Sequence, residues 1–202
     1  MRAGLPRSAV PTDLHAVLTG PGALELRAVP RPEPGPGDLL VHPDAVGVCG
    51  TDLELFSGAM TYLASGFTAY PIVPGHEWTG VVAAVGAGVT GFAAGDRVVG
   101  ECAIGCGVCP RCAAGSHHLC PDRTETGIAR RAGGMAGHLV FPAASAHRLP
   151  AGADPADAAL VEPLSVAYRA VRRAAPARTS RWPSSGRARS ACSARWSPAR
   201  SA

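Results

Sequence analysis

The sequence predicts a mainly β domain that ends in a helix. From His15 to Pro150, short apolar segments alternate with turns, and the 202 residues include 25 Gly and 19 Pro. Many short strands separated by Gly/Pro turns are typical of a β-barrel or a β-sandwich. After residue 150 the pattern changes, and residues that favour the start of a helix precede an alanine-rich stretch.

Four segments carry the strand prediction. Residues 15–30, HAVLTGPGALELRAVP, predict a hairpin, and residues 38–50, DLLVHPDAVGVCG, predict a strand that ends in small residues. Residues 75–100 predict two strands around a glycine turn. Residues 133–150, GGMAGHLVFPAASAHRLP, predict another pair of strands.

The segment after residue 150 predicts the helix. Asp154 can act as an N-cap, Pro155 suits the first helical position, and Asp157 is favourable near the positive end of the helix dipole. Proline removes a backbone donor from a helix interior. We therefore expect an interruption at Pro163.

One glycine pattern could be mistaken for a dinucleotide-binding fingerprint. Gly86, Gly88 and Gly91 match G-x-G-x-x-G, but that fingerprint needs a long helix directly after it. The residues that follow, FAAGDRVVG, are too few and too rich in glycine for such a helix. We predict a turn between two strands here.

Composition and charge exclude several classes of partner. All 19 basic residues are arginine and six of them follow Ala177, so the chain up to that point has 13 Arg against 15 acidic residues. This balance predicts no nucleic-acid partner for the main body. No apolar run approaches the ~20 residues of a membrane helix, and the start lacks the apolar region of a signal peptide. We expect a cytoplasmic protein without a membrane partner.

A cluster of cysteines predicts a structural zinc site. Four of the seven cysteines lie between residues 105 and 120 in the order C-x-x-C-x-x-C-x7-C. They are Cys106, Cys109, Cys112 and Cys120. Four thiolates complete a tetrahedral zinc shell without an open position, and a reducing compartment disfavours the alternative of disulfides. Cys102 lies outside the spacing, and we interpret His117 and His118 as solvated residues of the same lobe.

A second set of possible ligands is spread along the chain. Cys49, His76, Glu77 and Glu162 together offer sulfur, nitrogen and oxygen, a mixture that suits a zinc ion with an exchangeable position. Taken singly, each has a plain alternative: a buried thiol, a core histidine or a carboxylate on a helix surface.

These motifs, in this order, resemble those of the zinc-dependent medium-chain alcohol dehydrogenases, and especially the polyol and threonine dehydrogenase branch. The resemblance rests on GVCGTD, PGHEWTG, GDRVVG, the four-cysteine lobe and ALVEPLSVAYRAV, and runs from about His15 to Ala175. It implies a GroES-like, partly open β-barrel over residues 15–175 with a zinc lobe at 101–122. In the family, a nicotinamide-binding Rossmann domain follows the C-terminal helix.

The resemblance also implies roles for individual residues. Cys49, His76 and either Glu77 or Glu162 would hold a catalytic zinc ion, giving two zinc ions per chain with the lobe. Asp52 would orient His76. Which carboxylate completes the ligand set stays open on the sequence alone.

The implied reaction is the oxidation of a secondary alcohol, such as a polyol, cyclitol or amino alcohol, with NAD or NADP. Zinc would lower the pKa of the alcohol, and Thr51 would stand beside it and pass its proton outward. Relatives often have a histidine five residues after the cysteine to continue this relay, but Glu54 occupies that position here. Family members assemble as homo-oligomers, commonly through the cofactor domain.

Residues 176–202 do not fit the family. They are rich in Arg, Ser and Ala where a Rossmann domain should begin. With suitably chosen codons, the DNA that encodes residues 178–199 can be translated in a shifted reading frame as DLAVAVVGAGPIGLLGALVARA. This hidden sequence has the pattern of a strand followed by a dinucleotide-binding fingerprint. We therefore expect a frameshift, a missing Rossmann domain and a chain of little or no activity, with residues 1–14 as an N-terminal extension.

Two alternatives remain open. The chain could be a non-enzymatic zinc-binding protein whose basic tail is an interaction arm, or a redox sensor that uses the thiols of the lobe. One zinc ion per chain would fit the first alternative, whereas two would fit the dehydrogenase scaffold.

Overall fold

The computed structural model describes residues 12–174, and the predictions for residues 1–11 and 175–202 lie outside this range. The strands of the described part are β1 (Thr12–Gly20), β2 (Ala23–Pro30), β3 (Asp38–Gly47), β4 (Glu77–Val85), β5 (Arg97–Gly100), β6 (Ala103–Ile104), β7 (Thr124–Thr126), β8 (Arg130–Arg131), β9 (Leu139–Pro142) and β10 (Ala146–Arg148). The helices are α1 (Gly50–Ser57), α2 (Thr61–Ser65), α3 (Pro110–Ala113), α4 (Pro155–Ala159) and α5 (Val161–Ala174).

A five-stranded antiparallel sheet forms the centre of the fold, in the order β10-β5-β4-β3-β9. The predicted N-terminal hairpin is present as the separate sheet β1-β2, and β6, β7 and β8 form a third, small sheet. The prediction of a mainly β domain followed by a helix is confirmed.

The central sheet is curled. Its two edge strands, β9 and β10, are joined only by the short helical turn Ala143–Ser145. Four residue steps reach at most about 14 Å. The outer strands of a flat five-stranded sheet would be about 19 Å apart, at ~4.8 Å per strand. The sheet must therefore bend toward a barrel. Residues 133–150 contain two strands, as predicted, and these strands lie at the two edges of the sheet.

The core lies inside this curl. Leu39, Val41, Trp78 and Phe141 are fully buried, and the rings of Trp78 and Phe141 meet edge to face with centroids 4.8 Å apart. A second apolar cluster lies beside α1 and includes Leu55. This second cluster supports α1, the helix that Cys49 caps.

The C-terminal helical segment starts as predicted but breaks elsewhere. Asp154 Oδ1 accepts hydrogen bonds from the backbone N–H groups of Ala156 and Asp157, at 2.8 and 3.2 Å. The interruption falls at Leu160, between α4 and α5, and the expected break at Pro163 is wrong. Pro163 is the third residue of α5, where a backbone N–H would have no partner within the helix in any case.

The glycine pattern after β4 forms a turn, as predicted. Residues 86–96 connect β4 to β5 without a helix, and the two strands pair antiparallel. Of the helices in residues 12–174, none combines the length and apolar character needed to cross a membrane.

The packing around β5 predicts a strong effect for Gly100→Ala. A Cβ atom at this position would lie 2.6 Å from the Phe141 ring and closer still to that of Trp78. Because both rings are fully buried and cannot move aside, we expect the free energy of unfolding to fall by about 1–3 kcal/mol. The free energy of unfolding is measured by urea denaturation followed by fluorescence. Gly20→Ala, where nothing lies within 4 Å, is the matched control. Equal losses for both variants would contradict the packing argument.

Candidate metal centres

Pairing between β3 and β4 brings the first set of candidate ligands together. Gly47, the last residue of β3, lies opposite Glu77, the first residue of β4. Cys49 follows β3 by two residues and caps α1, while His76 directly precedes β4. The thiol, the imidazole and the carboxylate therefore meet where the two strands end.

Asp52 ties the two chain segments to each other. Its Oδ2 accepts a 2.9 Å hydrogen bond from the backbone N–H of Cys49, and its Oδ1 accepts one of 3.2 Å from that of Gly75. His76 Nδ1 lies 3.7 Å from Oδ1, within range of an ion pair but too far for a hydrogen bond. One buried carboxylate thus fixes the backbone on both sides of the cluster.

Cys49, His76 and Glu77 form a compact donor set. One ligand atom from each residue lies within 4.8 Å of the others. His76 is 4% exposed and Glu77 is 1% exposed, yet His76 Nδ1 and Glu77 Oε2 have no hydrogen-bond partner. Buried polar atoms without partners are unfavourable, so this arrangement fits a bound cation better than it fits an empty core. A Cβ atom at Gly47 would collide with the Glu77 carboxylate.

The pKa values of Cys49, His76 and Glu77 are also shifted by their surroundings. The hydrogen bond with His76 lowers the pKa of the Cys49 thiol. Burial acts to lower the pKa of His76, but the bond to Cys49 and the charge of Asp52 outweigh it and raise that pKa to about 9. Burial raises the pKa of Glu77. Binding of a metal ion would displace protons from these groups, because metal ligands must be deprotonated.

The other residues proposed for this site lie around the cluster. Thr51 Oγ1 is 4.0 Å from Cys49 Sγ. Glu162 is in the first turn of α5, outside the compact set, and burial raises its pKa while the nearby charge of His76 lowers it. Glu54 is exposed on α1. The structure brings Glu77, and not Glu162, into the donor set with Cys49 and His76.

The four lobe cysteines form the second donor set. The Sγ atoms of Cys106, Cys109, Cys112 and Cys120 all lie within 4.8 Å of one another, and those of Cys109 and Cys120 are 3.8 Å apart. All six cysteines in residues 12–174 are free thiols, including these four. Cys109 caps α3 and Cys112 lies within it, so this short helix places two of the four thiols next to each other.

A cavity of about 790 Å³ lies between α5, the lobe and the end of β5. Its lining includes Glu162 together with Cys102 and Glu125, two residues that the sequence analysis did not assign to a site. Cys102 also packs against the apolar cluster under α1. The β6–β7 pairing places Glu125 opposite Ala103 at this cavity, and no motif marks it in the sequence.

The geometry agrees with comparisons to known proteins. Residues 35–151 match the family described as the alcohol dehydrogenase GroES-like domain. The chain belongs to this family. The resemblance stated from the motifs is confirmed, and so is the GroES-like fold class.

Named relatives of this family are dehydrogenases. L-threonine 3-dehydrogenase of Deinococcus deserti is 44% identical over 119 residues, which are 59% of this chain and 34% of that protein. Sorbitol dehydrogenase of Halalkalibacterium halodurans is 34% identical over 155 residues, 76% of this chain and 43% of that protein. A zinc-binding dehydrogenase of Sinorhizobium meliloti 1021, solved with NADP, has a TM-score of 0.72 and 36% identity over 81% of this chain and 46% of that chain.

The chain spans between about a third and a half of the length of these relatives. The similarity therefore establishes the domain that carries both candidate metal centres. The activity and substrates of a whole dehydrogenase are matters for proposal.

The thiol environments predict different reactivities in the metal-free, reduced chain. Backbone N–H groups of Val108 and Cys109 lower the pKa of the exposed Cys106 to about 7. Burial raises the pKa of Cys102 well above its usual value. Because the thiolate is the reactive form, we expect iodoacetamide to label Cys106 with a rate that rises between pH 6 and pH 8, while Cys102 stays nearly unlabelled. Peptide mapping by mass spectrometry measures both rates. Similar rates at pH 7 would contradict the assigned environments.

Proposed function

We propose that this chain provides the zinc- and substrate-binding domain of an NAD(P)-dependent dehydrogenase that oxidises a secondary alcohol. The observation that carries the proposal is the compact, buried set of Cys49, His76 and Glu77, two of whose polar atoms have no partner. Such a set, with sulfur, nitrogen and oxygen donors, suits a zinc ion that keeps an exchangeable position. The family membership supports the same reading.

We assign the ligands of the catalytic zinc ion to Cys49, His76 and Glu77, with Glu162 nearby in the cavity wall. When bound, zinc supplies a Lewis acid that lowers the pKa of an alcohol next to it. Asp52 holds the backbone of Cys49 and of Gly75 in place through its two oxygens. We assign to the Thr51 hydroxyl, 4.0 Å from Cys49 Sγ, the role of accepting the alcohol proton while passing its own toward solvent.

The lobe cysteines have a different role. Four thiolates leave no open position on a zinc ion, so we propose that Cys106, Cys109, Cys112 and Cys120 hold a structural ion. Hydride acceptance falls to NAD or NADP, for which we assign no residue of this chain. The substrate is a small alcohol of the polyol or hydroxy-amino-acid type. Free thiols throughout residues 12–174 support a reducing compartment such as the cytoplasm.

Metal stoichiometry tests the assignment directly. We expect the purified chain to bind two zinc ions, measured by elemental analysis and by titration after chelation. Cys49→Ser should remove one ion and spare the other, because the two donor sets share no residue. Cys106→Ser should remove the lobe ion.

The outcomes separate the dehydrogenase scaffold from the rival function. A lobe-only zinc protein would give a different result. The wild-type chain would bind one ion, Cys49→Ser would bind the same ion, and Cys106→Ser would bind none. Cys102→Ser is the matched control, since Cys102 belongs to neither donor set, and it should retain both ions.

The role of Asp52 gives a further prediction. Asp52→Asn keeps the shape of the side chain but removes its charge, so we expect the affinity of the catalytic site for zinc to fall about 10- to 100-fold. Competition with a chelator measures the affinity. Asp44→Asn, which breaks an ion pair with Arg97 on the sheet surface, should leave the affinity unchanged. An unchanged affinity in Asp52→Asn would contradict the positioning role.

A further inference from the structure

The outer strand of the N-terminal hairpin, β2, is an open sheet edge. β1 and β2 form a two-stranded sheet, and the other side of β1 bonds to the backbone of Ile72 and Met135. Within residues 12–174, no segment pairs with the outer side of β2. Residues 24–28 are all exposed. An edge of this kind presents backbone donors and acceptors to another chain.

The register of the hairpin shows which backbone groups of β2 face away from β1. Ala16 and Leu18 donate their backbone N–H groups to carbonyls outside the hairpin, at 2.9 and 2.7 Å. They lie opposite Leu26 and Leu24. In an antiparallel pair, opposite residues either bond to each other or both point their backbone groups away. The N–H and C=O groups of Leu24 and Leu26 therefore point out of the sheet edge, and by the same alternation so do those of Ala28.

The side chains of β2 divide into an apolar face and a charged face. Leu24 and Leu26 lie on one face of the strand and are 54% and 58% exposed. Glu25 and Arg27 lie on the other face, where Arg27 Nε donates a 2.9 Å hydrogen bond to Glu25 Oε2. Many natural edge strands are protected by a proline or a bulge. Residues 24–29 contain neither, so the edge is open to a further strand.

Two copies of this edge complement each other in an antiparallel register whose twofold axis passes through Leu26. Leu24 of one copy then lies opposite Ala28 of the other, and the outward backbone groups of all three residues form hydrogen-bonded pairs. Glu25 of one copy lies opposite Arg27 of the other. These residues form the pairs without backbone hydrogen bonds, in which side chains are closest, so their opposite charges attract.

Charge and backbone direction disfavour the neighbouring registers. An axis at Glu25 would set two carboxylates directly opposite each other, and an axis at Arg27 would do the same with two guanidiniums. An axis between two residues would oppose an outward-pointing residue to one that already bonds to β1, so no ladder could form. The sequence of β2 thus favours one symmetric pairing over its neighbours.

We propose that β2 is a homodimer interface, through which a second copy of this chain extends the hairpin into a four-stranded antiparallel sheet. The charge pattern favours a second copy over an unrelated peptide, because each charge of β2 meets its opposite on an identical strand. Contacts between identical surfaces are typical of twofold-symmetric dimers. Because cross-strand pairs are individually weak, we expect a dimer in reversible equilibrium with the monomer.

Charge exchange across the twofold axis tests both the dimer and its register. Sedimentation velocity over a range of concentrations measures the monomer–dimer equilibrium of the full chain. Glu25→Arg and Arg27→Glu each set like charges opposite each other, and we expect each to weaken the dimer at least tenfold. In an equimolar mixture of these two variants, every facing pair again has opposite charges. The mixture should therefore form a heterodimer that regains most of the wild-type affinity.

Hydrogen exchange supplies the matching backbone measurement. The N–H groups of Leu24, Leu26 and Ala28 should become protected as the wild-type dimer forms, and they should exchange freely in Glu25→Arg. Arg148→Glu is the control for net charge, because it breaks an exposed ion pair with Asp96 away from the hairpin. It changes the charge of the chain by the same amount as Arg27→Glu and should leave the dimer unchanged.

Several outcomes would overturn this interface. They are a wild-type chain that stays monomeric at every concentration, a dimer that both charge variants leave intact, and a mixture of the variants that fails to restore the dimer. Protection of the three outward N–H groups in the monomer would show that another segment of the chain covers the edge, which also overturns it. None of these outcomes bears on metal binding, so the proposed function is tested separately.

Discussion

The antiparallel pairing of β3 with β4 is the constraint on which the candidate catalytic site depends. It sets Gly47 opposite Glu77 and so brings the start of α1 next to His76. Side chains alternate between the two faces of a strand, so a shift of one residue in this register would turn Glu77 away from Cys49. The buried residues of the core, among them Trp78 directly after Glu77, resist such a shift because they would become exposed.

This scaffold buries the polar groups of the candidate site. Asp52 makes backbone hydrogen bonds to both sides of the cluster, while one atom each of His76 and Glu77 stays without a partner. The folded chain carries an unfavourable contribution here that a cation would remove. Binding of a metal to the folded state alone also shifts the folding equilibrium toward it. Occupation of the candidate site by a cation would therefore stabilise this domain.

The parts of the structure that depend on local chemistry could be predicted from the sequence. The hairpin, the Asp154 cap and the close spacing of the lobe cysteines each involve residues that are near one another in the chain. The sequence could not predict whether Glu77 or Glu162 is the neighbour of Cys49 and His76, because this depends on how β4 and α5 are placed in space. The same holds for the separation of β9 from β10. The backbone of Arg130 has a φ of 60°, which has no sequence signal at all, since such positions usually hold glycine.

The two sides of the candidate site differ in what they are made of. Behind His76, main chain lies on main chain: Gly133 and Gly134 donate hydrogen bonds to the carbonyls of Val73 and Gly75, and Gly127 packs against Gly75 as well. There is no room for a larger residue on that side. The wall of the neighbouring cavity, by contrast, includes side chains such as those of Cys102 and Glu125. A larger residue at Gly127 or Gly133 would have to displace the main chain beside His76, so the position of this candidate ligand depends on glycines that lie far from it in the sequence.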